Sequence, residues 1–308
     1  MKEKSKRYDA KINKAGKLIP HHKFIQKLMQ IKTILADATA QLNTNEAALE
    51  AQLLLQHVLN VNRAWLISHE SDTLQPNNHA GFEVLLKRRL NGEPIAYILG
   101  YREFYGLELK VTSYTLIPRS DTETLVEAAL AKIAQNQPCQ TLDLGTGTGA
   151  IALAIAKHRP QAQITALDAS QASLDIAIEN AQNLNIPNVK FILSDWFSGL
   201  KTNGENEKFD VIASNPPYIE ASDLHLQQGD LRFEPRSALA SGAYGLDAIR
   251  HIIKNAPPYL NPHGWLMLEH GYNQASKVAA LLKQAGFSDI SHAKDLSGIE
   301  RVTIGRLA

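Results

Sequence analysis

The run Leu142-Asp143-Leu144-Gly145-Thr146-Gly147-Thr148-Gly149-Ala150-Ile151 constrains this 308-residue chain more than any other stretch. Three glycines at alternate positions stand between an apolar run of strand character and one of helical character. Glycine adopts positive φ without steric cost and lets another group approach the backbone where any Cβ would collide. A strand that feeds a helix through such a turn belongs to a βαβ unit, and such units build parallel sheets with helices on their faces. The same alternation continues through this part of the chain. Short apolar runs at 141–144, 164–167, 190–193, 211–214 and 265–268 are separated by helical stretches such as 150–158, 171–184 and 245–256. The expected fold is therefore α/β with a mostly parallel sheet. Residues 287–308 depart from it: two strands, about 288–293 and 301–306, share a short link and predict an antiparallel edge pair.

The part before residue 116 is organised differently. Phe24, Leu28, Ile31 and Leu35 recur at helical spacing, and Ala47, Leu49, Leu53, Leu54 and Val58 continue the pattern. Asn45 suits a helix N-cap. Val84, Leu85 and Leu90 fit a third helix whose Lys87, Arg88 and Arg89 face water, and Asn91-Gly92-Glu93-Pro94 is a stop signal. A small helical domain is expected over 24–98, where no catalytic constellation is found. Period-two alternation at 103–111 predicts a linking β-hairpin within 99–115, followed by the α/β domain over 116–308.

The formal net charge of +1 is a cancellation. Residues 1–27 hold nine cations and two anions, +7, and the other 281 hold 23 cations and 29 anions, −6. Residues 1–23 are read as a basic, disordered extension, with a phosphate-contacting arm as the sharper alternative. The single cysteine, Cys139, excludes an internal disulfide and a Cys-rich metal site. The eleven histidines show no metal-ligand spacing, so no metal is expected. No apolar run reaches the roughly 18 residues of a membrane span. The amino-terminal segment lacks the apolar h-region of a secretory leader. The chain is read as soluble, cytoplasmic and monomeric.

Two further segments fall at the ends of expected strands, where open α/β sheets bind ligands. Asp168 lies 19 residues after Gly149, near the offset of a carboxylate that accepts from both ribose hydroxyls; the plainer alternative is a helix N-cap, for which Ser170 also qualifies. Ser194-Asp195-Trp196-Phe197 could pack an aromatic on an adenine ring while the acid bonds its amine. More specific is Ser214-Asn215-Pro216-Pro217-Tyr218. Two prolines fix two φ angles and hold Asn215 extended. The Asn215 carboxamide oxygen and the Pro216 carbonyl can then accept from one planar NH2 group, with Tyr218 as a flat support. An amide nitrogen is a poor nucleophile because its lone pair is delocalised. Two acceptors that draw its N–H bonds can aim that lone pair at an electrophilic methyl, so catalysis is mainly orientation and electrostatics.

The Gly-x-Gly-x-Gly spacing resembles the first motif of class I S-adenosylmethionine-dependent methyltransferases rather than a dinucleotide loop. Over residues of about 30 to 306 the chain resembles the HemK/PrmC family of protein-(glutamine-N5) methyltransferases. The matching stretches are Gly92-Glu93-Pro94-Ile95-Ala96-Tyr97-Ile98, Leu116-Ile117-Pro118-Arg119-Ser120-Asp121-Thr122-Glu123, the glycine loop, Ser194-Asp195-Trp196-Phe197, Asn215-Pro216-Pro217-Tyr218, Leu231-Arg232-Phe233-Glu234-Pro235 and Glu300-Arg301-Val302. The resemblance implies a helical substrate-recognition domain, a hairpin and a seven-strand, Rossmann-like methyltransferase domain. It implies that Gly145, Thr146, Gly147, Thr148, Gly149, Asp168, Trp196 and Asn215 contact S-adenosylmethionine, and that Asn215, Pro216, Pro217 and Tyr218 hold and activate the substrate amide. That substrate would be the glutamine of the Gly-Gly-Gln motif in class 1 peptide chain release factors. Arg232 and Glu234 would help position the incoming loop.

Ser120 stands where the release-factor branch commonly has a second proline, and Pro-Arg-Ser also occurs in the sister branch that modifies a large-subunit ribosomal protein. Asp121-Thr122-Glu123 and Gln227-Gln228-Gly229-Asp230 favour the release-factor branch. An adenine-N6 nucleic-acid methyltransferase shares the Asn-Pro-Pro-Tyr logic, but such an enzyme needs a basic face, and this body is acidic. A non-catalytic cofactor-binding protein and an NAD-dependent dehydrogenase are the remaining alternatives. Glu269-His270-Gly271 could border the site or serve packing.

Overall fold

The computed structural model describes residues 11–12, 18–19, 29–202 and 205–308, in two compact units, Met1–Leu99 and Gly100–Ala308. The expected extension 1–23 and the helical positions Phe24 and Leu28 lie outside the described residues, apart from a pairing of Lys11–Ile12 with Leu18–Ile19.

The first unit contains, among its described residues, the helices α1 (Ile31–Gln41), α2 (Ala47–Leu59), α3 (Arg63–Ser68), α4 (Pro76–Leu90) and α5 (Ile95–Leu99). Their apolar stripes meet in one core around Ile31, Leu54, Leu55, Phe82 and Leu86. Two local expectations are corrected. Asn45 does not cap α2, whose N-cap is Glu46 without a side-chain bond. The buried face of α4 is Phe82 and Leu86, while Val84 and Leu90 are exposed. Arg89 follows Phe82 by seven residues, so it shares that face. It reaches Glu50 of α2 in a two-pronged pair, Nε to Oε2 and Nη2 to Oε1, both at 2.9 Å. The three consecutive basic residues gave no hint that one of them turns inward.

The second unit opens with a hairpin, β1 (Tyr101–Phe104) and β2 (Leu107–Lys110). Its turn residues Tyr105 and Gly106 have φ of 50° and 71°, the positive-φ geometry that suits strand twist. The elements that follow are α6 (Glu123–Leu130), β3 (Cys139–Leu144), α7 (Ala150–His158), β4 (Ala162–Asp168), α8 (Gln171–Asn183) and β5 (Val189–Leu193). Then come β6 (Phe209–Ser214), α9 (Asp247–Asn255), β7 (Leu260–Glu269), α10 (Ala275–Gln284), β8 (Phe287–Lys294) and β9 (Glu300–Leu307). One seven-stranded sheet runs in the order β8-β9-β7-β6-β3-β4-β5. The five strands β7 to β5 are parallel, and β8 and β9 form the antiparallel edge pair expected from 287–308.

Both faces of the sheet are covered, which is why its strands read as nearly continuous apolar runs. Helices α6 and α7 pack on one face with Phe104, Leu107 and Leu109 of the hairpin, where Val211, Ala213 and Met267 point. Helices α9 and α10 cover the other, where Leu142, Leu144, Ile212 and Leu268 point. From β3 the chain steps outward through β4 and β5, then returns to place β6 on the opposite side of β3. That reversal is the switch point at which open α/β sheets form their ligand crevice.

Removing Arg89 would strand the nearly buried Glu50 carboxylate. Arg89→Ala should therefore lower stability by about 3 kcal/mol, whereas Arg88→Ala, which breaks the more exposed pair with Glu93, should cost less than about 1 kcal/mol. Urea unfolding of both variants compares the two losses directly, and equal losses would contradict the buried role of Arg89.

Candidate active site

The glycine loop is shaped by the strand beside it. Gly145 N and Thr146 N both donate to the Leu167 carbonyl, at 2.9 and 2.8 Å. Gly147 N donates to Asp168 Oδ2 at 2.8 Å, and Ser170 N to Oδ1 at 2.9 Å. Gly145, Gly147 and Gly149 all have positive φ. A Cβ on Gly145 or Gly147 would meet no protein atom within 4 Å, because both face an open cavity; on Gly149 it would lie 3.0 Å from Leu153 and 3.3 Å from Ala177. The first two glycines thus leave room for a ligand, and the third allows close packing of α7 and α8. Ser170, not Asp168, caps α8, accepting from Ser173 N. The Asp168 carboxylate keeps lone pairs for the cavity it lines. Burial raises its pKa, opposed by the amides of Ser170, Gly147 and Ala169.

Thr146 and Thr148 point elsewhere. Thr146 Oγ1 donates to Asp143 Oδ2 at 2.6 Å. The Thr148 carbonyl accepts from Asn180 Nδ2 at 2.9 Å, and Asn180 also bonds both backbone groups of Lys110. Asn180 therefore ties the glycine loop to the end of the hairpin, and Ser173 Oγ donates to Tyr114 O at 3.0 Å. These bonds hold residues 113–116 as one wall of the cavity.

The opposite lip carries Trp196 at φ 51°, a left-handed conformation that costs a bulky side chain about 1–3 kcal/mol. Ser194 supports it: its Oγ donates to Trp196 O at 2.6 Å and accepts from Gly199 N at 2.8 Å. Asp195 is exposed at the same rim.

At the end of β6, Ser214 Oγ donates to Leu144 O at 2.7 Å, which joins the Asn-Pro-Pro-Tyr loop to the glycine loop. Asn215 Nδ2 donates to Thr122 Oγ1 at 3.1 Å, which leaves Asn215 Oδ1 free to accept. The loop exit is pinned as well. Gln274 Nε2 donates to Tyr218 O at 3.1 Å, and Gly245 passes so close that a Cβ there would lie 2.1 Å from Tyr218 O. The Tyr218 hydroxyl donates to Glu269 Oε1 at 3.4 Å. Burial and the Glu269 charge raise the Tyr218 pKa far enough that the phenol stays neutral.

Two cavities meet at Asn215. The larger, about 430 Å³, is lined by Gly145, Gly147, Asp168, Trp196, Asn215, Pro216 and Pro217 among others. The smaller, about 70 Å³, is bounded by Asn215, Tyr218, Leu116, Arg119, Leu231 and Leu239. Of the residues expected at the site, Thr146, Thr148 and Gly149 stand behind the loop, and Tyr218 belongs to the smaller space alone. The walls of that space are clasped by an ion pair of Arg119 with Glu234, whose Oε2 also accepts from Ile117 N at 3.0 Å. Arg232 instead stacks over Phe233. In the Glu269-His270-Gly271 run the two readings divide: Glu269 reaches the site, while His270 is buried against Thr303.

Sequence reasoning did not find Thr122, Gln274, Gly245 or Asp143. Of these, Asp143 left a signal, as an acid within an apolar strand. Asp143 is fully buried beneath the glycine loop, and burial pushes its pKa up to about 7, against the pull of Thr146.

The chain matches the PrmC N-terminal domain model over residues 33–100 and a methyltransferase domain model over 135–297. It is 48% identical over 257 residues to a release factor glutamine methyltransferase of Xylella fastidiosa, covering 83% of this chain and 92% of that one. Proteins of the same name from Vibrio cholerae and Escherichia coli are 47% and 44% identical over 279 residues, covering 90% of this chain and 96% and 99% of theirs.

Because folding raises the Asp143 pKa, its favourable contribution is complete below the ordinary carboxylate range and is lost as the pH rises through about 7. Asp143→Asn keeps an acceptor for Thr146 and removes that loss. Its stability relative to the unsubstituted protein should rise by about 1 kcal/mol or more between roughly pH 4 and pH 8. Urea unfolding across that range checks this, and parallel curves would contradict it.

Proposed function

Because the chain belongs to the release factor glutamine methyltransferase family, we propose that it transfers a methyl group from S-adenosylmethionine to the side-chain N5 nitrogen of the Gly-Gly-Gln glutamine in class 1 peptide chain release factors. The observation that carries this reading is Asn215. Its NH2 gives one N–H to Thr122 and its oxygen is left to accept, at the junction of a cofactor-sized and a side-chain-sized cavity.

The larger cavity fits the methyl donor. Its volume is in the range of small-molecule sites, Gly145 and Gly147 leave it clear of side chains, Asp168 offers carboxylate lone pairs for ribose hydroxyls, and Trp196 and Asp195 stand at the far rim for an adenine. When bound, S-adenosylmethionine supplies an electrophilic sulfonium methyl.

The chain's own residues do the rest. Asn215 Oδ1 and the Pro216 carbonyl accept the two N–H bonds of the glutamine amide, which turns the nitrogen lone pair toward the donor cavity. The two prolines and the pins from Gln274 and Gly245 hold these acceptors in place before substrate arrives, so little reorganisation remains. Neutral Tyr218 supports the amide plane and does not act as a base. As the nitrogen bonds the methyl carbon, the carbon–sulfur bond of the donor would break to leave S-adenosylhomocysteine, and the nitrogen loses one proton, which passes from its acceptor to solvent. The Arg119–Glu234 pair keeps the substrate pocket walls together. The helical unit serves substrate recognition, for which Ile67 and Val84 offer exposed apolar surface. The enzyme is proposed to act as a monomer; its acidic body argues against a nucleic-acid substrate, and its proposed substrate makes it cytoplasmic. Among the described residues, no helix is long and apolar enough to cross a membrane.

The test is mass spectrometry of an intact release factor after incubation with the enzyme and S-adenosylmethionine, with the large-subunit ribosomal protein and duplex DNA as competing acceptors. One methyl on the Gly-Gly-Gln glutamine is expected; methyl on either competitor alone would reject the reading. Asn215→Ala should lower turnover by about 10²–10³-fold or more while donor binding stays measurable by calorimetry. Asp168→Ala should weaken donor binding about 10- to 100-fold through lost charge-assisted hydrogen bonds.

A further inference from the structure

Two stretches singled out in the sequence, Asp121-Thr122-Glu123 and Glu300-Arg301-Val302, line neither cavity, yet they meet in the fold. Arg301 stands near the start of β9, where its carbonyl accepts from His270 N at 2.9 Å and its neighbour Val302 is in register with Glu269 of β7. Its guanidinium reaches two carboxylates. Nε donates to Asp295 Oδ2 at 2.8 Å, and Nη2 to Asp121 Oδ2 at 2.9 Å. Asp295 is buried and already committed, since its Oδ1 accepts from Ser297 N at 2.9 Å and from Ile299 N at 3.0 Å. The turn between β8 and β9 thus fixes one edge of the guanidinium, and the planar fork carries the other to Asp121.

Asp121 belongs to the single helical turn Ser120–Thr122 that leads into α6. So short a turn has poor internal hydrogen bonds, and its position depends on what it is tied to. The ties come from far along the chain: Arg119 pairs with Glu234, Asp121 with Arg301, and Glu123 Oε1 accepts from Tyr105 N at 3.1 Å. Between the last two sits Thr122, the N-cap of α6. A threonine at that position ordinarily turns its hydroxyl back onto the helix amides. Here the side chain makes no cap bond; Oγ1 instead accepts from Asn215 Nδ2 at 3.1 Å. The turn forgoes a helix cap and spends the hydroxyl on Asn215.

We propose that Arg301 is a positioning residue for the transfer: clamped by Asp295, it holds Asp121, and with it the Thr122 hydroxyl, against Asn215, so that the Asn215 carboxamide is set before substrate enters. The inference rests on the function proposed above and deepens it, because it extends the amide-holding machinery to the antiparallel edge of the sheet. Arg301 lines neither the donor cavity nor the amide pocket. Its loss therefore acts on kcat through a displaced Asn215, since small misplacements of a reacting group are costly. The same loss has nothing left to act on once Thr122 can no longer bond Asn215.

The test measures kcat on an intact release factor for wild type, Arg301→Ala, Asp121→Ala, Thr122→Val and the double variant Arg301→Ala/Thr122→Val. Calorimetric donor binding and thermal melting serve as folding controls. Arg301→Ala and Asp121→Ala should each lose about tenfold or more in kcat, with donor affinity within about twofold of wild type. Thr122→Val should lose at least as much, and adding Arg301→Ala to it should cost less than about twofold further, because the two act through one contact. Asp289→Ala, which removes the partner of Arg306 on the same sheet edge, should keep wild-type kcat. Wild-type kcat in Arg301→Ala, an equal loss in Asp289→Ala, or losses that multiply in the double variant would each overturn the proposal. Multiplied losses are what a route through the charge that Arg301 lends to Tyr218 and Glu269 would give. If Arg301→Ala fails to fold, Asp121→Ala, which leaves the Arg301–Asp295 pair whole, decides it in the same double-variant comparison. Wild type that leaves the release factor unmethylated would overturn the proposed function and this inference together, whereas active wild type with unaffected Arg301→Ala and Asp121→Ala would overturn this inference alone.

Discussion

The parallel pairing of β3 with β6, closed by the bond from Ser214 Oγ to Leu144 O, is the contact on which the site depends. In register, Ser214 stands opposite Leu144, so the glycine loop and the Asn-Pro-Pro-Tyr loop leave adjacent strands at the same height. Each loop alone is an ordinary strand-end turn. Side by side at the switch point they make a donor cavity and an amide pocket with a common wall at Asn215. A slip of one residue would move every side chain of β6 to the opposite face. It would also turn Asn215 away from the cavity. The apolar faces that fix this register, Val211 and Ala213 on one side and Ile212 on the other, are therefore part of the site's geometry.

Rigidity in the site comes from backbone rather than from side-chain packing. Proline removes torsional freedom at two consecutive positions, the Tyr218 carbonyl is held by Gln274, and Gly245 approaches it where no larger residue could. On the donor side, the Leu167 carbonyl takes two loop amides and Asp168 a third. A reaction that needs an amide lone pair aimed, rather than a proton abstracted by a strong base, calls for this kind of preorganisation. The neutral Tyr218 and the absence of a charged group among the side chains that would hold the amide nitrogen are consistent with it.

What could be read from the sequence was whatever the backbone itself dictates. Glycines at alternate positions allow a positive-φ turn that other residues resist, and paired prolines fix two φ angles, so the tight turn at Gly145 and Gly147 and the rigid Asn215-Pro216-Pro217 loop could be read from local order alone. The sheet was equally plain, because strands buried on both faces are apolar throughout. The unread part depends on contacts between residues far apart in the chain. Thr122 meets Asn215 across 93 residues, and Arg119 meets Glu234 across 115. All four residues lie in stretches that carry the family resemblance, but nothing local says which meets which. The same reason explains α4, where the partner of Arg89 lies on another helix and three adjacent basic residues look alike. Thr146 and Thr148, expected at the cofactor from their place in the motif, are both buried, and Thr146 bonds Asp143.

Two buried acids, Asp143 and Glu269, cost the fold something at neutral pH, since each must be desolvated and neither has both oxygens satisfied. Apolar residues of similar size would pack at those positions without that penalty. Their locations argue against accident. Asp143 lies under the glycine loop and accepts from Thr146; Glu269 lies under the Asn-Pro-Pro-Tyr loop and accepts from Tyr218. Each acid therefore supports one of the two loops that the β3–β6 pairing brings together. Stability given up beneath both halves of one crevice is what a site requires if the two loops that line it must be fixed before the substrate arrives.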